Sequence, residues 1–242
     1  MVMVDAHNFI KRNYHGGGNP YELFYNMLIK YTDKKVQIVC DGPKSRAYRK
    51  SIHPNYKAGR DSGEDPVYWE VYKNCQEMAL QFPNVELIEM TAGEADDYIR
   101  LSAGPGCIVI SNDKDLWPLI DDDVTILLNA STKVDRELVE MKFDCIPKHI
   151  DLYKALVGDP SDKIPGKRGF GKAAWSKLDF EDRELYLYHF SIGNCDYDPK
   201  LMTESACMSW QLAIPFGEYR FDVRQGTNGN ALAFMEEKGI VI

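Results

Sequence analysis

Five short apolar runs, rich in β-branched residues, recur along the first half of the chain: MVMV (1–4), VQIVC (36–40), VELIEM (85–90), CIVI (107–110) and VTILL (124–128). Apolar residues fill most positions in them rather than every second one, so each strand needs cover on both faces. The stretches 20–31, 66–82 and 93–103 lie between the runs and carry helical periodicity. Strands buried on both sides and alternating with helices predict an α/β fold with a central, mostly parallel sheet flanked by helices. TAGE at 91–94 reads as a capping box, with Thr91 as N-cap and Glu94 three residues on.

A chain of 242 residues suits one large domain, or a domain with a smaller appendage. Its 44% hydrophobic and 27% charged residues predict a folded core rather than disorder. No apolar run approaches the length of a membrane span, and the opening MVMVDAHNF lacks a basic segment followed by a long apolar one. These features predict a soluble, intracellular protein without a membrane partner. Cys40, Cys75, Cys107, Cys145, Cys195 and Cys207 are scattered with no C-x-x-C pair, which predicts free thiols rather than a zinc site or a disulfide framework.

The formal net charge of −8 argues against nucleic acid only if the acids are evenly spread. They are not. Ligands of open α/β sheets bind at the carboxyl ends of the strands, and there the acids gather. Asp5 ends the first run and Asp41 follows the second; Glu94, Asp96 and Asp97 follow the third, and Asp113 and Asp115 the fourth. Asp159 and Asp162 open a glycine-rich stretch further on. Any one of these could be a helix cap or a turn residue. Together they form a crowd that repels itself and raises carboxyl pKa values unless cations neutralise it. With no His/Cys cluster on offer, hard Mg²⁺ or Mn²⁺ is the expected cation. Two such ions stabilise the attacking and leaving oxygens of an in-line phosphoryl displacement. Setting the nine acids aside leaves the rest of the chain at +1, so the acidity is concentrated where a cation belongs.

From residue 147 the pattern changes. PKHIDLYKALVG predicts a helix with Pro147 in its first turn and Gly158 just past its end. VGDPSDKIPGKRGFGKAA (157–174) follows as a loop rich in glycine and lysine, and GKAAWSKL as a second helix. The tail from 180 carries aromatics and a GTNGN turn, and reads as a partly helical extension.

VCDGPKSRAYRKSIHPNYKAGRD, TAGEADDYI, ISNDKDLWPL and LVGDPSDKIPGKRGFGKAA, in that order, resemble the metal-dependent 5′ nucleases. That superfamily includes flap endonucleases, bacteriophage 5′–3′ exonucleases, phage ribonuclease H and the 5′-nuclease part of bacterial DNA polymerase I. The likeness runs over about residues 1–178. It implies a PIN-like nuclease core over 1–146 with a helical arch at 44–66. A helix-three-turn-helix that grips duplex DNA would follow at 147–178, and a C-terminal extension at 179–242 would pack on the core.

Residue by residue, the resemblance gives Asp5, Asp41, Glu94 and Asp96 to a first metal site and Asp113, Asp115 and Asp162 to a second, with Asp97 and Asp159 beside them. Lys57 and Arg60 would touch the scissile phosphate as catalytic groups together with the metal-bearing Asp41 and Asp113. Arg12, Arg46, Arg49 and Lys50 are further expected phosphate contacts, the last three also readable as solvated helix charges. In the glycine-rich loop, Gly166, Gly169 and Gly171 let backbone amides approach a DNA phosphate. Lys163, Lys167, Arg168 and Lys172 would add salt-dependent affinity, and K⁺ is expected to bridge carbonyls and phosphate there. Lys163, Lys167 and Phe170 depart from the family's usual Asn, aliphatic residue and Ile, and the segment 44–66 is short for a threaded arch.

The implied activity is a two-metal 5′–3′ exonuclease or flap endonuclease acting on DNA with a 5′ end, flap or nick. It extends to RNA primers in RNA–DNA hybrids and to replication proteins as partners in DNA replication and repair. With no polymerase segment after the tail, a free-standing enzyme is expected, in the cytoplasm of a bacterium or a phage-infected host. Two other readings compete. A DNA-junction binding module that has lost catalysis would have substitutions among the nine acids, and none is seen. A haloacid-dehalogenase-type phosphatase needs Asp-x-Asp after the first strand, where His7 stands two residues after Asp5. Tyr14 and His15 could stack on a terminal base, but read better as packing residues; His7, His53, His149 and His189 lack ligand spacing. Trp69, Trp117, Trp175 and Trp210 read as core or helix-packing residues.

Overall fold

The computed structural model describes residues 1–59 and 65–242. Its sheet is built on β1 (Val2–Asp5), β2 (Val36–Cys40), β3 (Val85–Ala92), β4 (Ile108–Ile110) and β5 (Thr125–Leu128), all parallel to their neighbours. Two antiparallel strands close the edges: β6 (Thr132–Lys133) on β5 and β7 (Arg220–Gln225) on β3. The spatial order is β6-β5-β4-β1-β2-β3-β7. The chain builds outward from β1 through β2 to β3, then returns to place β4 on the other side of β1. The β1/β4 boundary is therefore the switch point at which open α/β sheets bind ligands. Asp5 ends β1 there, and Asp113 and Asp115 follow β4.

Side chains alternate across the strands as the pleat requires. Met3, Val39, Ile88, Val109 and Ile126 enter one buried cluster. Val4, Ile38, Leu87 and Ile110 enter the other. The second face is covered by α1 (Ala6–His15), α2 (Pro20–Lys30) and α4 (Pro66–Ala79) through Phe9, Phe24, Leu28 and Met78. The first is covered by α5 (Ala95–Ser102), α6 (Arg136–Phe143), α7 (Ile150–Val157) and the 3₁₀ stretch Lys114–Asp122. With Leu87 fully buried, Leu87→Ala would cost about 2–5 kcal/mol. Between β2 and α4 lies the short helix α3 (Ala47–Ile52), and α8 (Lys172–Trp175) follows the glycine-rich loop. The tail adds α9 (Phe180–Ser191), α10 (Glu204–Ala213) and α11 (Ala231–Glu237) besides β7.

Two expectations need correction, the capping box and the free thiols. Thr91 lies in β3, and the helix that follows is capped by Glu94, whose backbone N–H in turn donates to the Asp97 carboxylate. The tail is partly helical as expected, and it also carries a strand: Phe221 and Val223 alternate with charged residues along β7, which extends the sheet. Of the two readings of Trp69, helix packing holds: it is 48% exposed, with its ring against His7 of α1. Cys195 and Cys207 form a disulfide, with Cα atoms 6.5 Å apart. The turn between α9 and α10 folds back and brings together two thiols that their spacing did not pair, while the other four cysteines are free and buried.

Candidate active site

Asp5, Asp41 and Asp113 at the sheet edge are each placed by a backbone N–H. Asp5 caps α1, accepting the Asn8 N–H at 3.1 Å, while Ser111 Oγ donates to its other oxygen at 2.9 Å. The same Ser111 oxygen accepts the Asp113 N–H at 3.0 Å, which joins the β1 and β4 ends. Asp113 caps the 3₁₀ stretch by accepting the Asp115 N–H at 3.0 Å. Asp41 accepts the Ala95 N–H at 2.8 Å and so ties the end of β2 to the start of α5. Asp96 Oδ1 is buried and has no hydrogen-bond partner among the described residues.

Two buried lysines stand among these acids. Lys57, in the turn after α3, has a positive φ of 47°. Its N–H donates to the Asp162 carbonyl at 3.0 Å, and its ammonium lies 2.8 Å from Glu94 Oε1 and 3.7 Å from Asp162 Oδ2. Lys154, near the end of α7, donates to Asp115 and stands 2.9 Å from Asp159 Oδ2. Burial works against charge on both lysines, yet the surrounding carboxylates hold both ammonium pKa values above the ordinary lysine range.

Burial is also the largest influence on the acids, and neighbouring carboxylates add to it. It pushes Asp5 and Asp41 up to about 6 and Glu94 to about 7, against the hydrogen bonds from Asn8 and Ser111 at Asp5, the one from Ala95 at Asp41, and the Lys57 charge at Glu94. Asp113 is raised strongly by burial and by its neighbour Asp115. Asp115 goes the other way: burial opposes its charge, but Lys154 and then Lys57 hold it below the usual carboxylate range. Asp159 is also lowered, burial being outweighed by Lys154 and the Ser161 hydroxyl.

The donor set is all carboxylate oxygen, with one buried oxygen unsatisfied, and this chemistry fits a hard divalent cation. Among the described residues no three His, Cys, Asp or Glu side chains converge closely enough to hold a metal ion; the lysine ammoniums pair with the acids instead. Asp97 stands apart from the rest. Fully buried, it accepts the Glu94 N–H at 2.7 Å, the Phe216 N–H at 2.7 Å and both Arg49 nitrogens at 2.6 and 2.9 Å.

The basic residues divide. Arg49 was expected on the surface but is 3% exposed, because its guanidinium also donates to Glu94 and to the Leu212 and Ile214 carbonyls. It locks α3 to α5 and to the C-terminal end of α10. Arg46 is half-buried, 3.7 Å from Glu94 Oε1. Lys50 lines a cleft beside Asp41. Arg12 lines a separate groove with Phe9, Leu23 and Lys30, whose walls include none of the nine carboxylates. Arg60 lies outside the described residues. Tyr14 and His15 pack on Tyr68, with ring centroids 5.5 and 6.2 Å apart.

The glycine-rich loop turns back on itself through an antiparallel bridge between Asp159 and Ile164. Gly166 has φ +67°, and a Cβ there would lie 2.5 Å from the Gly158 nitrogen. Its N–H donates to Ser209 Oγ at 2.9 Å, so α10 holds the loop from behind. Lys163, Arg168, Gly169, Gly171 and Lys172 are exposed, and Lys167 half-buried. A cleft of about 620 Å³ has Asp113, Asp115, Asp159 and Asp162 on its walls together with Lys114, Lys142 and Lys172.

Sequence reasoning passed over Lys154, Tyr56 and Ser111. Tyr56 is buried and donates to Glu94 Oε2 at 3.0 Å. A lysine within the otherwise apolar LYKALV, next to GD, was the available signal for Lys154; Ser111 carried none.

The chain is 30% identical over 240 residues to DNA polymerase I of Borreliella burgdorferi, which covers 88% of the chain and 26% of that protein. It is 30% identical over 156 residues to a 5′-3′ exonuclease of Aquifex aeolicus, covering 62% of the chain and 53% of that protein. The chain thus spans about a fifth to a quarter of the length of several DNA polymerase I relatives. Its fold is similar to that of T5 5′-exonuclease with divalent metal ions (zinc) bound, at a TM-score of 0.65 and 17% identity over 88% of each chain. It is also similar to a T5 flap endonuclease in complex with DNA and metal ions, at a TM-score of 0.59 and 18% identity over 88% of this chain and 85% of that one. Residues 1–144, which include the sheet-edge acids from Asp5 to Asp115, match the model of the 5'-3' exonuclease N-terminal resolvase-like domain, and the chain belongs to that 5′–3′ exonuclease family.

Proposed function

We propose that this chain is a structure-selective 5′ nuclease that hydrolyses phosphodiester bonds near the 5′ ends of DNA. The supporting observation is the buried, unpartnered Asp96 Oδ1 beside Glu94, whose own charge is balanced by a lysine. Asp5, Asp41, Glu94 and Asp96 would hold one Mg²⁺, with Mn²⁺ able to replace it, and Asp113, Asp115 and Asp162 a second. When bound, two such ions supply charge stabilisation at the attacking and leaving oxygens. Asp97 and Asp159 serve as partners of Arg49 and Lys154 rather than as ligands.

The chain's own residues then have distinct tasks. Lys57 leaves Glu94 and Asp162 and turns to the scissile phosphate, where its charge matches the developing negative charge. Arg60 is proposed to act beside it. The bond between phosphorus and the 3′ oxygen breaks, water supplies the new oxygen on phosphorus, and the 3′ oxygen leaves with a proton. Lys163, Lys167, Arg168 and Lys172 hold the duplex backbone, with the Gly166–Gly171 backbone at the phosphates and K⁺ as an aid there. RNA–DNA hybrids and replication proteins complete the proposed partners.

The test incubates the protein with Mg²⁺ or Mn²⁺ and end-labelled flap, nicked and RNA–DNA hybrid substrates. Release of short 5′ products is expected. Binding without cleavage on every substrate and with both metals would replace this reading with a junction-binding protein.

A further inference from the structure

The disulfide between Cys195 and Cys207 takes no part in the site above, yet it is anchored on the helix that backs the glycine-rich loop. Cys207 lies on α10 between Ser205 and Ser209. Ser205 Oγ donates to the Gly166 carbonyl at 2.5 Å, and Ser209 Oγ accepts the Gly166 N–H at 2.9 Å. About 3.6 residues make a helical turn, so the two serines share one side of α10 and Cys207 faces the other way. One side of the helix therefore grips the loop while the other is tied to Cys195, just past α9. Most of residues 192–200, between the two helices, is exposed. Tyr197 stacks on His189 at 3.6 Å, Tyr186 donates to Asp198 at 2.8 Å, and Leu201 and Met202 are buried. Opening the disulfide leaves those contacts and the fold in place, but it frees the first turns of α10, the part that carries both serines.

Cys195 and Cys207 are half-buried, whereas the other four cysteines are buried. Burial pushes the Cys40 and Cys145 thiols up to about 12 and raises Cys75 and Cys107 as well, so none of these supplies the thiolate that disulfide exchange needs. We propose that Cys195 and Cys207 form a reversible redox site whose disulfide state tightens the hold of the glycine-rich loop on duplex DNA, and whose reductant is a dithiol. A thiolate of the dithiol attacks one sulfur and the S–S bond breaks; its second thiolate then displaces that cysteine from the mixed disulfide. Two electrons and two protons pass to the protein, giving two cysteine thiols, and the reductant leaves as its own disulfide. Exchange with an oxidised dithiol runs the same steps backwards. The inference rests on the nuclease reading above, which gives the duplex to this loop, and adds a control on it.

The test compares protein treated with oxidised dithiothreitol and protein treated with dithiothreitol, by anisotropy of a labelled blunt duplex with Ca²⁺ in place of Mg²⁺. Iodoacetamide labelling and peptide mass mapping report which cysteines are free. The reduced protein is expected to be alkylated at Cys195 and Cys207 alone, to bind duplex about fivefold more weakly and to melt roughly 5–10 °C lower. By linkage, bound duplex should make the disulfide about fivefold harder to reduce. Cys195→Ser combined with Cys207→Ser should bind like the reduced wild type and ignore dithiothreitol. Ser209→Ala should shrink the difference between oxidised and reduced protein. Equal duplex affinity of the two wild-type forms, or free Cys195 and Cys207 after oxidation, would overturn the inference while leaving the nuclease reading intact. Absence of any duplex binding by either form would overturn both.

Discussion

The Lys57 ammonium stands 2.8 Å from Glu94 Oε1 and 3.7 Å from Asp162 Oδ2, so one lysine from the segment after α3 reaches carboxylates from two distant parts of the chain. It is a cation supplied by the protein where the chemistry calls for metal. Removing one partner of a buried pair leaves the other charge uncompensated, at a cost of about 3–5 kcal/mol. Lys57→Met should therefore lower the urea midpoint sharply in EDTA and recover much of the loss in Mg²⁺. Cleavage should remain impaired under both conditions. If Mg²⁺ returned no stability, the carboxylates around Lys57 would not be the cation's ligands.

The raised carboxyl groups make a pH-dependent version of the same claim. Asp5 and Asp41 titrate at about 6 and Glu94 at about 7 in the folded protein, driven up first by burial. Unfolded carboxyls titrate near 4. The folded state thus holds more protons between these values. The stability these groups lend is complete below pH ~4 and is lost as pH rises through 6 to 7. Asp115 and Asp159, with lowered values, oppose this, contributing stability at higher pH and losing it on acidification. A divalent cation favours the ionised form of all of them. At saturating Mg²⁺ the melting temperature at pH 8 should rise by roughly 5–10 °C over EDTA, and the difference should shrink at pH 5. An equal rise at both values would exclude Asp5, Asp41 and Glu94 as its ligands.

Arg49 and Lys172 separate a structural cation from a phosphate-binding one. Arg49 is spent on Glu94, Asp97 and two carbonyls, whereas Lys172 is exposed at the glycine-rich loop. Arg49→Met should lower thermal stability by about 3–5 kcal/mol and leave the salt dependence of DNA binding intact in the fraction that folds. Lys172→Ala should leave the melt almost unmoved and reduce the slope of log affinity against log salt by about one. The opposite pattern, read from melts and salt titrations, would move Arg49 to the DNA surface.

Much of this architecture was legible because local rules and global fold agree. The runs 36–40 and 85–90 are strands because apolar residues, several of them β-branched, hold most of their positions, and the acids gather because a parallel sheet aligns its carboxyl ends. What escaped was decided by contacts between distant segments. Arg49 and Lys154 carry charges that read as surface by residue type, yet each is buried by acids 45 or 39 positions away. No window of sequence reports that. Phe221 and Val223 alternate with charges, a period-two signal within an otherwise helical tail. The pairing of Cys195 with Cys207 depended on a turn whose direction their spacing does not encode.

The glycine-rich loop offers the sharpest contrast, because two of its glycines share a backbone conformation and differ in surroundings. Gly166 and Gly169 have φ values of +67° and +77°, so alanine is strained at both. That strain alone costs about 1–2 kcal/mol. At Gly169 nothing lies within 4 Å of an added Cβ, so the cost should stop there. At Gly166 the Cβ would strike the Gly158 nitrogen at 2.5 Å and the Val157 carbonyl carbon at 2.7 Å, both backbone atoms that cannot turn aside. The loop would have to open, breaking the Gly166 N–H bond to Ser209 and displacing Asp159 and Asp162 together with the lysines that follow. Gly166→Ala should therefore lower stability clearly more than Gly169→Ala in parallel urea melts, and should impair cleavage and duplex binding together. If Gly166→Ala bound duplex normally while losing cleavage, the phosphate grip and the carboxylates would not share this loop as one unit.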